Sequence, residues 1–117
     1  MNNFVKIYGI KNCDTVKKAL NYLIATDVSY EFIDFTKRPL SNKEFQAMID
    51  SVGSELLINK RSTTYRSLTE NQKNKSDYDL VMKFPTLIKR PVLVDGDNIM
   101  VGYSEKEYVN FFLSDID

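Results

Sequence analysis

The thiol of Cys13 is the only cysteine side chain in 117 residues, and the chain has no histidine. It lies in the stretch KIYGIKNCDTVKKAL, between a short apolar run and an amphipathic one. A sulfur at such a junction meets the first helical N–H groups, which have no intrahelical partners and carry the positive end of the helix dipole. A thiolate there is stabilised, so its pKa falls and more of the nucleophilic form exists at neutral pH. Lys11 and Lys17 add positive charge nearby, whereas Asp14 opposes ionisation. The expected balance is a moderately lowered pKa. The competing reading makes Cys13 a small apolar filler, as free cysteines often are. Its polar neighbours Asn12 and Asp14 and the strand–loop–helix setting favour the nucleophile.

One thiol restricts the mechanism. Ile10 and Val16 stand where a CxxC partner would be, so no internal thiol can resolve a mixed disulfide. A redox cycle needs an external thiol as co-substrate, and glutathione is the obvious candidate, with no cofactor bound. Glutathione and oxyanions are both anionic, so arginines are expected near the sulfur. INKRSTTYR supplies Lys60, Arg61 and Arg66, and LIKRPVL supplies Lys89 and Arg90 directly before Pro91.

The ligands of a zinc site are missing, and no metal is expected. Sixteen basic and sixteen acidic residues cancel, so no overall field favours direct binding of nucleic acid. No segment is apolar and long enough to span a bilayer, so no membrane partner is expected. The start, MNNFVKIYGI, lacks a basic region followed by a long apolar run. With a lone cysteine, which fits a reducing compartment, the expected location is cytoplasmic.

The elements that must hold Cys13 follow from periodicity. Phe4 to Tyr8 alternate as a strand, and Val16, Ala19, Leu20, Leu23 and Ile24 mark one face of a helix. A second strand spans Tyr30 to Phe35, and strand–helix–strand with tight joints predicts a right-handed βαβ unit. After Pro39, Ser41 to Glu44 has capping-box spacing, and Phe45, Met48, Ile49 and Val52 form a helical face ending at Gly53. Short helical pieces are expected at Leu56 to Ile58, near Tyr65 to Leu68, and at Tyr78 to Phe84, with Pro85 closing the block. Pro91 then opens VLVDGDNIMVGY, whose Asp-Gly between apolar runs predicts an antiparallel hairpin. Capping-box spacing recurs at Ser104 to Glu107, before a helix burying Tyr108, Phe111 and Phe112. The expected fold class is α/β, an α+β mixed sheet. It is a single thioredoxin-like domain over 1–117 with a four-stranded mixed sheet. A βαβ half (about 1–40), a helical insertion (about 41–85) and a ββα half (about 86–117) make it up.

Four ordered motifs, YGIKNCDTVKKAL, LLINKRSTTYRSL, FPTLIKRPVLV and VGYSEKEY, resemble the arsenate reductase–Spx superfamily over essentially the whole chain. Within it the chain most resembles the YffB-like, glutathione-linked reductase branch. The resemblance implies that Cys13 is the nucleophile and that Arg90-Pro91 is a cis peptide facing it. It also implies that Arg61 and Arg90 bind the anionic substrate. Asn12, Lys11 and Pro91 are expected to complete the glutathione-binding surface. The function expected is a glutathione-dependent thiol oxidoreductase. Two departures matter. Arsenate reductases of this type carry a further arginine in the segment matching MVGYSE, where Gly102 or Tyr103 stands here, which argues against efficient arsenate reduction. Spx-type regulators often carry a CxxC switch, and Ile10 replaces its first cysteine. The alternative function is then an Spx-like regulator that binds RNA polymerase, through its α subunit, without a disulfide switch.

Overall fold

In the computed structural model of this protein, which describes residues 4–114, β1 (Phe4–Gly9), α1 (Asp14–Ala25) and β2 (Ser29–Asp34) form the βαβ unit, with β1 and β2 parallel. Helices α2 (Asn42–Val52), α3 (Ser54–Leu57), α4 (Thr63–Arg66), α5 (Glu70–Lys73) and α6 (Asp77–Lys83) follow, then a 3-10 turn at Pro85–Leu87. The chain closes with β3 (Val92–Asp95), β4 (Asn98–Val101) and α7 (Glu105–Ser114). The sheet order is β2-β1-β3-β4, and β3 runs antiparallel to both neighbours. This is the thioredoxin-like four-stranded mixed sheet, with the helical block inserted between its halves. No helix among the described residues is long and apolar enough to cross a membrane.

Strand alternation divides the interior in two. Val5, Ile7 and Leu93 point to the face covered by α1 and α7, where they bury with Ala19, Leu23 and Tyr108. Tyr8 and Val92 point to the other face and join Phe45, Met48, Leu57, Ile58, Leu80 and Val81 from the helical block. The two helices on the first face meet through rings: Tyr22 of α1 lies edge to face with Tyr108 of α7 at 5.5 Å and stacks on Phe112 at 6.2 Å.

Where the expectations and the structure differ, tertiary context decides. Ile24, assigned to the buried face of α1, is 62% exposed, because that face ends at Leu23. Helix α5 is an addition, and its signal was a Thr69–Gln72 capping box on a stretch without apolar periodicity. The turn expected near Tyr65 to Leu68 is α4, two residues earlier, capped by Ser62. Pro85, expected to close the helical block, opens a 3-10 turn that carries it on to Leu87. In the hairpin, Asp95 pairs with Asn98, so the tip is Gly96-Asp97, with Gly96 at φ 60.

Two positions hold these layers in place. A Cβ at Gly9 would stand 2.8 Å from Val16 Cγ2 and 3.3 Å from Phe32 Cε1, so only glycine lets α1 start this close to β1. Gly9→Ala is expected to cost about 1–3 kcal/mol, read as a lower midpoint in urea unfolding. At the start of α2, Ser41 and Glu44 form the reciprocal capping box. The same carboxylate accepts from Tyr8 Oη (2.8 Å) and from both Arg38 Nη atoms (3.2 and 2.9 Å). The Arg38 hydrogen bond, partly offset by burial and helped by the Ser41 N–H and Tyr8, draws the Glu44 pKa down to about 2. A depressed carboxyl stabilises the fold above its unfolded value and loses that contribution as pH falls through the folded one. With the Arg38 side chain 52% exposed, the contribution is about 1–2 kcal/mol after solvent screening. Glu44→Gln is accordingly expected to remove part of the acid loss of stability between about pH 4.5 and about pH 2, measured by urea titrations across that range.

Candidate active site

Cys13 is the N-cap residue of α1, with φ −98 and ψ 127. Asn12, just before it, has φ 70, a left-handed conformation that asparagine tolerates better than most residues. That turn swings the chain from the end of β1 into the helix. The loop is held by Asp34 at the end of β2, whose carboxylate accepts from the Lys11 N–H at 3.2 Å. It also accepts from the Thr36 N–H and hydroxyl at 3.0 and 2.6 Å. Those donors, Thr36 foremost, lower the Asp34 pKa against a smaller desolvation effect. The carboxylate therefore stays charged as an anchor for the loop.

The second wall comes from the chain before β3. The 90–91 peptide, Arg90-Pro91, is cis, and Pro91 is buried. Two backbone contacts fix this segment to the helical block: the Asn59 N–H donates to Leu87 O and the Lys89 N–H to Leu57 O, both at 2.8 Å. A third tie comes from below, where the Gly102 N–H donates to Pro91 O at 2.7 Å and Tyr108 Oη donates to Gly102 O at 3.3 Å. Tyr108 is fully buried, so the cis-proline loop is anchored in the core through two hydrogen bonds.

Between these walls lies an open depression of about 240 Å³, lined by Cys13, Thr15, Asn59, Thr86, Arg90 and Gly102 among others. Arg90 Nη1 donates to Thr86 O at 2.9 Å and Ile88 O at 3.3 Å, which fixes the guanidinium beside the sulfur. Partial desolvation pushes the Cys13 pKa up. The Val16 N–H, the Arg90 guanidinium and the Thr15 N–H outweigh it, and the pKa ends below the ordinary thiol value. The neutral side chain makes no capping hydrogen bond; these N–H groups act on the sulfur once it is ionised. The arrangement can therefore hold a thiolate at the mouth of a depression with a cation to meet an anionic group.

The sequence-predicted residues fall in three places. Cys13 and Arg90 meet at the depression, and Pro91, joined to Arg90 by the cis peptide, is buried behind its lining. Lys11 and Asn12 form the exposed turn leading into it, where the Lys11 backbone N–H donates to Asp34. Arg61 is exposed and lines an adjoining depression with Lys60 and Lys89, while Arg66 closes α4 on the surface. Asn59, Thr15 and Thr86 were not anticipated. Thr15 could have been found as the N2 residue of α1, whose N–H must face the N-cap side chain. Asn59 and Thr86 join the site through long-range pairing, which leaves no local pattern. Among the described residues, no group of three or more His, Cys, Asp or Glu could hold a metal ion. A wider cleft of about 410 Å³, lined by Lys6, Tyr8, Lys43, Met48 and Val94 among others, contains neither Cys13 nor Arg90.

The geometry has counterparts among known proteins. An uncharacterised protein of Haemophilus influenzae is 39% identical over 108 residues, covering 89% of this chain and 95% of that one. The global transcriptional regulator Spx of Listeria innocua is 28% identical over 112 residues, 92% of this chain and 86% of the regulator. The solved structure of a protein named YffB superposes with a TM-score of 0.83 at 34% identity, covering 91% of this chain and 96% of that structure. The ArsC family model matches residues 8–111, a span that takes in both walls of the depression. With its single-cysteine N-cap and cis-proline loop set on a thioredoxin-like sheet, the chain belongs to the ArsC family.

Proposed function

We propose that this protein is a thiol oxidoreductase that uses Cys13 as its one nucleophile and an external thiol, glutathione or another small thiol, as co-substrate. The deprotonated sulfur attacks one sulfur of a substrate disulfide. The S–S bond breaks, the other half leaves as a thiolate, and Cys13 is held in a mixed disulfide. An external thiolate then attacks that mixed disulfide, forms a new S–S bond and returns Cys13 as thiolate. The protein gains and loses no net electrons, and the substrate is reduced at the expense of the external thiols. Cys13 is the only cysteine, so no internal group can take the resolving role.

The observation that carries the reading is the position of Cys13 at the N-cap of α1 in one depression with Arg90, where the Val16 and Thr15 N–H groups and the guanidinium favour the thiolate. In this reading Arg90 also orients the carboxylate of the incoming thiol, and Arg61 binds further out. Lys11 and Asn12 form the rim of the surface, and Pro91 shapes its floor. Gly102 or Tyr103 stands where an arsenate reductase would be expected to add an arginine, and a disulfide needs no third guanidinium. The direct test is mixed-disulfide formation with oxidised glutathione, read by intact mass. A single glutathione adduct, reversed by excess reduced glutathione, supports the proposal; an unmodified chain contradicts it.

A second reading rests on the likeness to Spx over 92% of the chain. In it the protein is a regulator that docks on RNA polymerase through the α subunit, with no disulfide switch because Ile10 stands in place of the first cysteine. Retention of polymerase from a lysate by immobilised protein, unchanged in Cys13→Ser, is the expected outcome for the regulator. Absence of polymerase from the retained fraction removes this reading.

A further inference from the structure

Beside the Cys13 depression lies a second one, of about 330 Å³, lined by Glu55, Asn59, Lys60, Arg61 and Lys89. Asn59 and Lys89 line both, so the two are one continuous surface. The second depression gathers three cations against a single carboxylate. That carboxylate is already seated: Glu55 Oε1 lies 3.3 Å from Lys60 Nζ, with the Glu55 side chain 86% exposed and that of Lys60 41%. An ion pair this exposed is worth little and exchanges readily with another carboxylate. The backbone beneath is fixed, since the Arg61 N–H donates to Asn59 Oδ1 at 3.1 Å and the Asn59 N–H is tied to Leu87 O. Lys60 and Arg61 thus sit on an ordered turn and Lys89 on a backbone tied to Leu57 O, while Glu55, the one carboxylate lining this depression, is exposed enough to be displaced.

We infer that this second depression is a subsite for a remote carboxylate of the disulfide attacked at Cys13, and that Glu55 is its internal competitor. The inference rests on the thiol reading above and adds to it a substrate class and a selectivity device. The substrate is a disulfide whose two sulfur-bearing halves extend into a carboxylate. Glu55 holds the subsite when empty and is displaced on binding, so neutral disulfides gain nothing from the second depression. Lys60 and Lys89 act as specificity residues and touch no reacting sulfur.

Single-turnover reaction of Cys13 with two reagents tests this. Dithiobis(nitrobenzoate) carries a carboxylate on each half, and dithiodipyridine is uncharged at neutral pH. In both, the thiolate of Cys13 attacks one sulfur, the reagent S–S bond breaks, and the other half leaves with the electron pair as a chromophoric thiolate or thione. The quantity read is the ratio of the charged-reagent rate to the neutral-reagent rate. Lys60→Met is expected to lower that ratio about two- to fivefold, and Glu55→Gln to raise it by about the same factor. Lys18→Met, an exposed lysine of α1 outside both depressions, is expected to leave the ratio alone. An unchanged ratio in both Lys60→Met and Glu55→Gln overturns the subsite and spares the nucleophile. An equal effect from Lys18→Met overturns it in favour of a general surface charge effect. A wild-type thiol inert to both reagents overturns the nucleophile reading, and the subsite with it.

Discussion

Cys13→Ser is expected to abolish turnover of disulfides with glutathione as the thiol and, at the same time, to leave the fold intact or slightly more stable. The two effects have opposite causes. Cysteine occupies an N-cap position, where its neutral side chain makes no capping hydrogen bond. Serine is among the preferred residues there, since its oxygen accepts from the N–H of N2 or N3. Thr15 and Val16, whose N–H groups act on the sulfur, occupy those positions. The gain in stability is up to about 1 kcal/mol, visible as a small rise in the urea midpoint. Loss of turnover is complete because no second thiol exists in the chain. Full turnover in the serine variant contradicts the mechanism, and a large loss of stability contradicts the capping argument.

Arg90→Ala is expected to slow the reaction of Cys13 at neutral pH about tenfold, the order set by a charge-assisted hydrogen bond of about 1.5–3 kcal/mol reduced by partial exposure. Arg90 is the cation among the groups that lower the Cys13 pKa, and the two N–H groups remain when it is gone. The alkylation midpoint should therefore move up, stopping short of complete loss of the thiolate. Arg90→Lys is expected to recover only part of the rate. An ammonium cannot bridge Thr86 O, Ile88 O and the sulfur from one planar group as the guanidinium does. Rates of thiol modification across pH for the two variants distinguish charge from geometry.

The elements that carry the site were visible in local periodicity. The period change after Tyr8 marked the strand-to-helix junction, so the N-cap position of Cys13 followed from sequence alone. Asp-Gly after an apolar run marked the hairpin, although the pairing of Asp95 with Asn98 moves its tip one residue on. What the sequence could not reveal is the set of contacts between distant segments. Ile58 bridges Ile88, and this pairing brings Asn59 to the thiol while leaving Arg61 in the adjoining depression. The lysines next to Cys13 in the chain, Lys11 and Lys17, are exposed. The cation acting on the sulfur instead arrives from the cis-proline loop. Proximity in sequence was a poor guide to charge at the site, because a helix start presents backbone N–H groups to its cap, whereas the side chains of Lys11 and Lys17 are exposed to solvent.

The ionisation of Cys13 is the claim on which the chemistry stands, and a chain with one cysteine allows it to be measured without ambiguity. The rate of iodoacetamide alkylation of the wild-type protein across pH, followed by intact mass, gives the midpoint directly. The expected midpoint lies clearly below that of a free cysteine thiol, with Arg90→Ala between the two. A midpoint at or above the free-thiol value would mean that burial outweighs the Val16, Thr15 and Arg90 donors, and would contradict the nucleophile assigned here.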